Sequence, residues 1–134
     1  MDIHIAGMTP LIQVYNMTES LKFYCEILGF EVVSSDTDGT PQDWCLLRWG
    51  EAQLMLNTIY EPGHAPPFRD QARSNYHDDT ALFFSCENVE ETAAYLKSAG
   101  FEVDGPMIRD YGMKQLYLHD PDGYNLCFQA EVKK

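Results

Sequence analysis

Positive charge is scarce in this chain. Lysine and arginine total 9 against 21 aspartates and glutamates, a formal net charge of −12. Phosphate neutralisation needs a basic face, so this balance argues against nucleic acid as a partner. It argues equally against docking on an anionic membrane surface. It is compatible with a cationic ligand drawn in by the long-range field, and equally with solubility alone. Closely spaced cysteines are also missing. Cys25, Cys45, Cys86 and Cys127 show no C-x-x-C spacing and lie mostly in apolar runs, so they read as reduced core or cavity residues rather than a disulfide frame or zinc site. No apolar stretch approaches ~20 residues, so no membrane span is expected. The stretch MDIHIAGM lacks a basic region followed by a long apolar run, so no secretory leader is expected and the cytoplasm is the expected compartment.

What the chain does have is apolar and aromatic content, 45% and 13% of its 134 residues. That composition predicts an ordered globule, and the length suits one domain. The tetrapeptide GFEV occurs twice, at residues 29–32 and 100–103. The stretches before the two copies also correspond. Leu11–Tyr15 and Leu82–Cys86 read as short apolar strands. Asn16 with Glu19, and Asn88 with Glu91, read as helix starts in which the asparagine side chain accepts from free first-turn amides. Leu21, Cys25 and Leu28, then Val89, Ala93 and Leu96, fall at i, i+4, i+7 and predict the buried stripe of each helix. Gly29 and Gly100 end the helices, where a left-handed residue is wanted. Phe30 and Phe101 would fold back onto the last turn, and Glu31 and Glu102 would open the next strands.

Each copy is followed by two more strand-like runs. In the first half these are residues 43–49 and 52–57, joined at Gly50-Glu51. In the second they are 113–120 and 124–130, joined by Pro121-Asp122-Gly123, a sequence with strong turn chemistry. Each half therefore reads βαβββ: module one over residues 8–57 and module two over 80–130. Residues 58–79 connect them, with three prolines and little periodicity. A connection of that length is a candidate lid or crossover, or a plain linker.

The two βαβββ modules, with Phe23-Tyr24 and Leu28-Gly29-Phe30 in the first and Asp120–Tyr124 in the second, resemble the vicinal oxygen chelate superfamily. This is the glyoxalase, bleomycin-resistance and extradiol-dioxygenase group. The resemblance implies an α+β fold in which two tandem modules form a curved mixed sheet, a half-barrel, with helices on the convex face and ligand on the concave face. It implies a homodimer. Metal-dependent members of the group carry His or Glu at four positions, which correspond here to Thr9, Met55, Ala81 and Cys127. These residue types do not make a site for a hard divalent cation. No metal and no cofactor are therefore expected. Thr9-Pro10-Leu11, Tyr111-Gly112 and the acidic charge resemble the metal-free bleomycin-resistance branch. Pro10 there resembles the proline of an arm exchanged between chains, or else it discourages edge pairing.

Strand alternation gives the facing of the implied concave surface. Thr9, Leu11 and Gln13 share a face, as do Gln53, Met55 and Asn57. Ala81, Phe83 and Ser85 do the same, with Asn125, Cys127 and Gln129. In the strand between, Gln115, Tyr117 and His119 face the cavity if Leu116 and Leu118 face the helix. Residues 43–49 phase two ways, with either Trp44, Leu46 and Arg48 or Cys45, Leu47 and Trp49 pointing in. Such a lining, apolar with amides, a phenol and an imidazole, suits a small organic ligand.

His119 is the one catalytic candidate. The competing reading, an imidazole hydrogen-bonded near the Asp120 turn, is preferred because a lone titratable group does not make a site. His4, His64 and His77 read as solvated. Tyr111 and Met113 either line the cavity mouth or pack the loop. Nothing adjacent to Cys127 would activate its thiol. The expected function is metal-free sequestration of a small aromatic or cationic molecule. The alternative is a superfamily enzyme, an isomerase, lyase or dioxygenase-like protein, with relocated site residues.

Overall fold

A computed structural model describes residues 1–133. The chain divides into two compact units, Met1–Pro67 and a second from Phe68 onward. Each is built on a four-stranded sheet, and the two sheets have the same topology.

In the first unit β1 (Leu11–Val14), β2 (Glu31–Ser35), β3 (Trp44–Trp49) and β4 (Ala52–Thr58) lie in the order β1-β4-β3-β2. Only the β1–β4 pair is parallel. Between β1 and β2 the chain forms helix α1 (Met17–Leu21), which continues as a π-helix over Lys22–Leu28. The Asn16 side chain caps α1, accepting from the Glu19 amide at 3.0 Å. Gly29, at φ 117°, stops the helix, and the Gly29 and Phe30 amides both return to the Tyr24 carbonyl. The π-turn corrects the expected stripe. Leu21 and Cys25 are only half-buried, whereas Phe23 and Tyr24 are both buried. The π-turn interrupts the 3.6-residue period, so the register drifts and, in place of Leu21 and Cys25, the adjacent Phe23 and Tyr24 face the sheet. They meet edge to face, and Tyr24 meets Phe30 the same way. The sheet contributes Ile12, Val14, Cys45, Leu47, Leu54 and Leu56, none more than 4% exposed.

In the second unit β5 (Ala81–Ser85), β6 (Asp104–Ile108), β7 (Met113–His119) and β8 (Asn125–Glu131) repeat the pattern as β5-β8-β7-β6. Again only β5–β8 is parallel. Helix α3 (Val89–Ser98) is capped by Asn88, and Phe101 N–H returns to the Leu96 carbonyl past Gly100. Val89, Ala93 and Leu96 are buried, as the sequence predicts, against Leu116, Leu118, Leu126 and Phe128. Each large side chain so buried is worth about 1.5–3 kcal/mol. β6 begins at Asp104, two residues later than the expected Glu102.

The connecting segment is not irregular throughout. Helix α2 (Gln71–Tyr76) and a 3₁₀ turn (His77–Asp79) precede β5. The Asp70 side chain caps α2, a signal that the prolines before it obscured. This segment packs on the Asp120–Tyr124 turn of its own unit. Asp120 closes that turn, its carboxylate accepting from the Asp122 and Tyr124 amides at 2.9 Å each. Asp122, 1% exposed, sits 3.4 Å from Arg69 Nε. His77 stacks on Tyr124 at 4.0 Å, with Nδ1 2.7 Å from the Asp122 carbonyl oxygen. The expectation that His77 is solvated is therefore wrong: an aromatic face and a carbonyl acceptor hold it. Gly123, at φ 87°, lets the Ser74 carbonyl approach to where a side chain would stand.

Candidate functional site

In each unit the helix covers one face of the sheet and leaves the other uncovered by that helix. On the first unit this face includes Leu11 and Gln13 of β1 beside Met55 and Asn57 of β4. The alternative phasing of β3 is settled. Cys45 and Leu47 are buried on the helix side, and Leu46 and Arg48 stand opposite Met55 and Gln53. Trp44, Leu46 and Arg48 thus join the open face. Its amides are partnered: Asn57 Nδ2 donates to Gln13 Oε1 at 3.2 Å, and Thr9 Oγ1 donates to Gln53 Oε1 at 2.9 Å. A separate recess of ≈ 450 Å³ lies where Thr40–Asp43 and Tyr60–Gly63 border Tyr15 and Met17.

On the second unit Ala81, Phe83 and Ser85 pair with Asn125, Cys127 and Gln129, and Gln115, Tyr117 and His119 lie opposite those three on β7. The register puts these residues on one face, and accessibility differs along it. Phe83 is 52% exposed, whereas Gln115 and Cys127 are buried at 1% and 0%. Those two form a covered floor rather than a surface open to a ligand. Phe83 meets the Tyr117 ring edge to face at 6.2 Å. Burial pushes the Cys127 thiol above its ordinary value, and a hydrogen bond with the Tyr117 hydroxyl offsets this only in part. Burial, followed by the Cys127 contact, raises the Tyr117 phenol as well. Neither group is activated toward nucleophilic chemistry.

The polar centre of this face is Gln115. Its Oε1 accepts from Arg109 Nε at 3.2 Å, from Tyr111 at 3.0 Å and from Tyr117 at 3.0 Å. Arginine carries no acceptor, so the atom facing it is the amide oxygen. Gln115 Nε2 then donates to Gln129 Oε1 at 2.9 Å. The Arg109 guanidinium lies over the Tyr117 ring, 5.7 Å from its centroid. Tyr111 is therefore part of this hydrogen-bonded cluster, and Arg109 is a member that sequence reasoning missed. Arg109 lies on the β6–β7 loop, where strand alternation gives no facing. Arg109, Tyr117, His119 and Asn125 line a pocket of ≈ 420 Å³ that Glu102 and Asp104 border.

His119 is exposed, and its Nε2 is 2.5 Å from Asp78 Oδ1. Its partner is thus on the 3₁₀ turn, not in the Asp120 turn. The expected solvation of His4 and His64 agrees with their exposure.

The four positions that correspond to superfamily metal ligands carry no imidazole or carboxylate. Among the described residues no three His, Cys, Asp or Glu side chains gather as a metal site. This donor set does not fit a hard divalent cation.

Repeated βαβββ modules, each with an open aromatic and amide-lined sheet face, define an α+β protein of the paired-module type. The chain belongs to the Glyoxalase/Bleomycin resistance protein/Dioxygenase superfamily, whose family model matches residues 3–128. Among solved structures it is similar to an integron cassette protein from the mobile metagenome of the Halifax Harbour sewage outfall. The two are 26% identical, with 94% of this chain and 99% of that one covered and a TM-score of 0.68. It shares its fold with TnmS3, an antibiotic binding protein from Streptomyces sp. CB03234, at 23% identity, 96% and 100% coverage and TM-score 0.65. It also shares it with a bleomycin resistance determinant encoded on transposon Tn5, at 21% identity, 95% and 98% coverage and TM-score 0.67. No curated protein matches the chain. No helix among the described residues is long and apolar enough to cross a membrane.

Proposed function

We propose that this protein is a metal-independent, dimeric binder of a small aromatic or cationic molecule, acting by sequestration. The observation that supports this most is the second unit's open face. An exposed Phe83 and a Tyr117 ring stand over a buried, hydrogen-bonded amide floor beside a ≈ 420 Å³ pocket. Apolar walls with a few fixed polar groups are what a small organic ligand needs. The Cys127 thiol and Tyr117 phenol are held in their neutral forms, and His119 is engaged with Asp78, so none of these three acts as a nucleophile with its base. The antibiotic binder and the resistance determinant share only the fold at their levels of identity. The site therefore carries the reading. Dimerisation follows from the superfamily resemblance, in which the cavity combines modules of two chains, and sedimentation at micromolar concentration tests it.

The test of function has two parts on one preparation. Metal content is measured on protein purified without chelators, and the same protein is titrated calorimetrically with flat aromatic probes, one cationic and one anionic. Saturable binding with metal well below stoichiometric supports the reading. Near-stoichiometric iron, manganese, nickel or zinc, or no binding heat for any probe, contradicts it and favours the relocated-site enzyme.

A further inference from the structure

We infer that the ligand of this face is an aromatic molecule bearing an anionic oxygen, a carboxylate or phenolate, and that Arg109 is the residue that selects it. This deepens the binding reading above and rests on it.

Three donors converge on Gln115 Oε1, from Arg109, Tyr111 and Tyr117. An amide oxygen has two lone pairs. The three N–H and O–H groups therefore exceed what one buried acceptor can satisfy well, and one hydroxyl is better served by a second acceptor. Arg109 has more to give. Its Nε meets a neutral amide, and its guanidinium carbon lies 5.7 Å from the Tyr117 ring centroid. Among the described residues no carboxylate lies within ion-pair distance of it, and its two terminal nitrogens make no hydrogen bond. In a chain with 21 carboxylates, a half-buried arginine without one stands out.

A guanidinium fork held beside a ring matches the two oxygens of a carboxylate or the oxygen of a phenolate. Tyr117 fixes the height of the fork, Gln115 fixes its rotation, and Phe83 and Tyr117 give the ligand's ring an edge-to-face wall. The competing feature is the pair Glu102 and Asp104, which border the same pocket and would attract a cation. Both are exposed. Their fields are screened by solvent and salt, whereas the Arg109 contact would form at hydrogen-bond distance on a partly dried face.

The experiment compares three flat probes of similar area on the wild-type protein: anthraquinone-2-carboxylate, its neutral 2-hydroxymethyl counterpart and cationic 9-aminoacridine. The carboxylate is expected to bind about tenfold tighter than the neutral probe, the order expected of a charge-assisted pair. Arg109→Met should erase that difference between the carboxylate and the neutral probe, and Arg109→Lys should restore part of it. Circular dichroism confirms that the variants fold, and the wild-type comparison stands without them. Equal affinity for carboxylate and neutral probe, or preference for 9-aminoacridine, overturns this inference and leaves the binding reading intact. Failure of all three probes to saturate overturns the binding reading and this inference with it.

Discussion

Replacing Gly123 by alanine tests how the connecting segment is held. A Cβ at this residue would stand 2.2 Å from the Ser74 carbonyl oxygen and 2.9 Å from its carbon, both backbone atoms of α2. Gly123 also has φ 87°, which costs a side-chain-bearing residue roughly 1–2 kcal/mol. Gly100 supplies the control. Its φ is 94° and nothing stands within 4 Å of its added Cβ, so Gly100→Ala carries the backbone cost alone. Relief of the Gly123 clash requires α2 to move off the turn. That movement removes the His77 hydrogen bond to the Asp122 carbonyl, worth about 1 kcal/mol. It removes the His77–Tyr124 stack, worth about 0.5–1.5 kcal/mol, and strands buried Asp122 away from Arg69. The excess of Gly123→Ala over Gly100→Ala should be about 2–4 kcal/mol. At a slope of about 2 kcal/mol/M this is a urea midpoint lower by roughly 1–2 M. Circular dichroism across a urea series reads it. Equal midpoints for the two variants would refute the docking of α2 on the Asp120–Tyr124 turn.

Other perturbations probe each unit separately. Leu96→Ala, at a fully buried position of α3, should cost about 2–5 kcal/mol in urea unfolding, whereas Asn88→Ala at its cap should cost about 1 kcal/mol. A reversed ranking would contradict the packing described. Burial pushes the Cys45 thiol from 9.0 up to about 11. The unfolded thiol therefore ionises first. Its contribution to stability is complete below pH 9 and is lost as pH rises toward 11. Wild-type protein should lose more stability than Cys45→Ala between pH 8.5 and 11, and parallel pH profiles would show that the native thiol is not held neutral.

Much of the fold was legible because the signals were local and occurred twice. Asn16 and Asn88 cap helices, Gly29 and Gly100 end them, and the strands alternate as their side chains require. The π-turn was not legible, since the i, i+4, i+7 reading assumes the 3.6-residue period that the turn interrupts. Helix α2 was hidden for a different reason. It is six residues long, follows a proline-rich run and is stabilised by packing on the 120–124 turn rather than by its own pattern. Alternation gave which residues share the candidate face but not their depth. Alternation places Gln115 and Cys127 on it, yet only the structure shows that both are covered. Arg109 lies on a loop, where periodicity says nothing about facing, and its partners Gln115 and Tyr117 lie on the next strand.

The most direct test of the central claim is a nitrogen-15 NMR titration of chelator-treated protein with anthraquinone-2-carboxylate. Saturable shifts concentrated at the Phe83 and Tyr117 amides, the Gln115 side-chain amide and the Arg109 Nε–H are the expected result, with zinc addition changing neither the pattern nor the affinity. Shifts centred on other surfaces, or shifts that arise only once zinc is added, would contradict a metal-independent binding face on the second sheet.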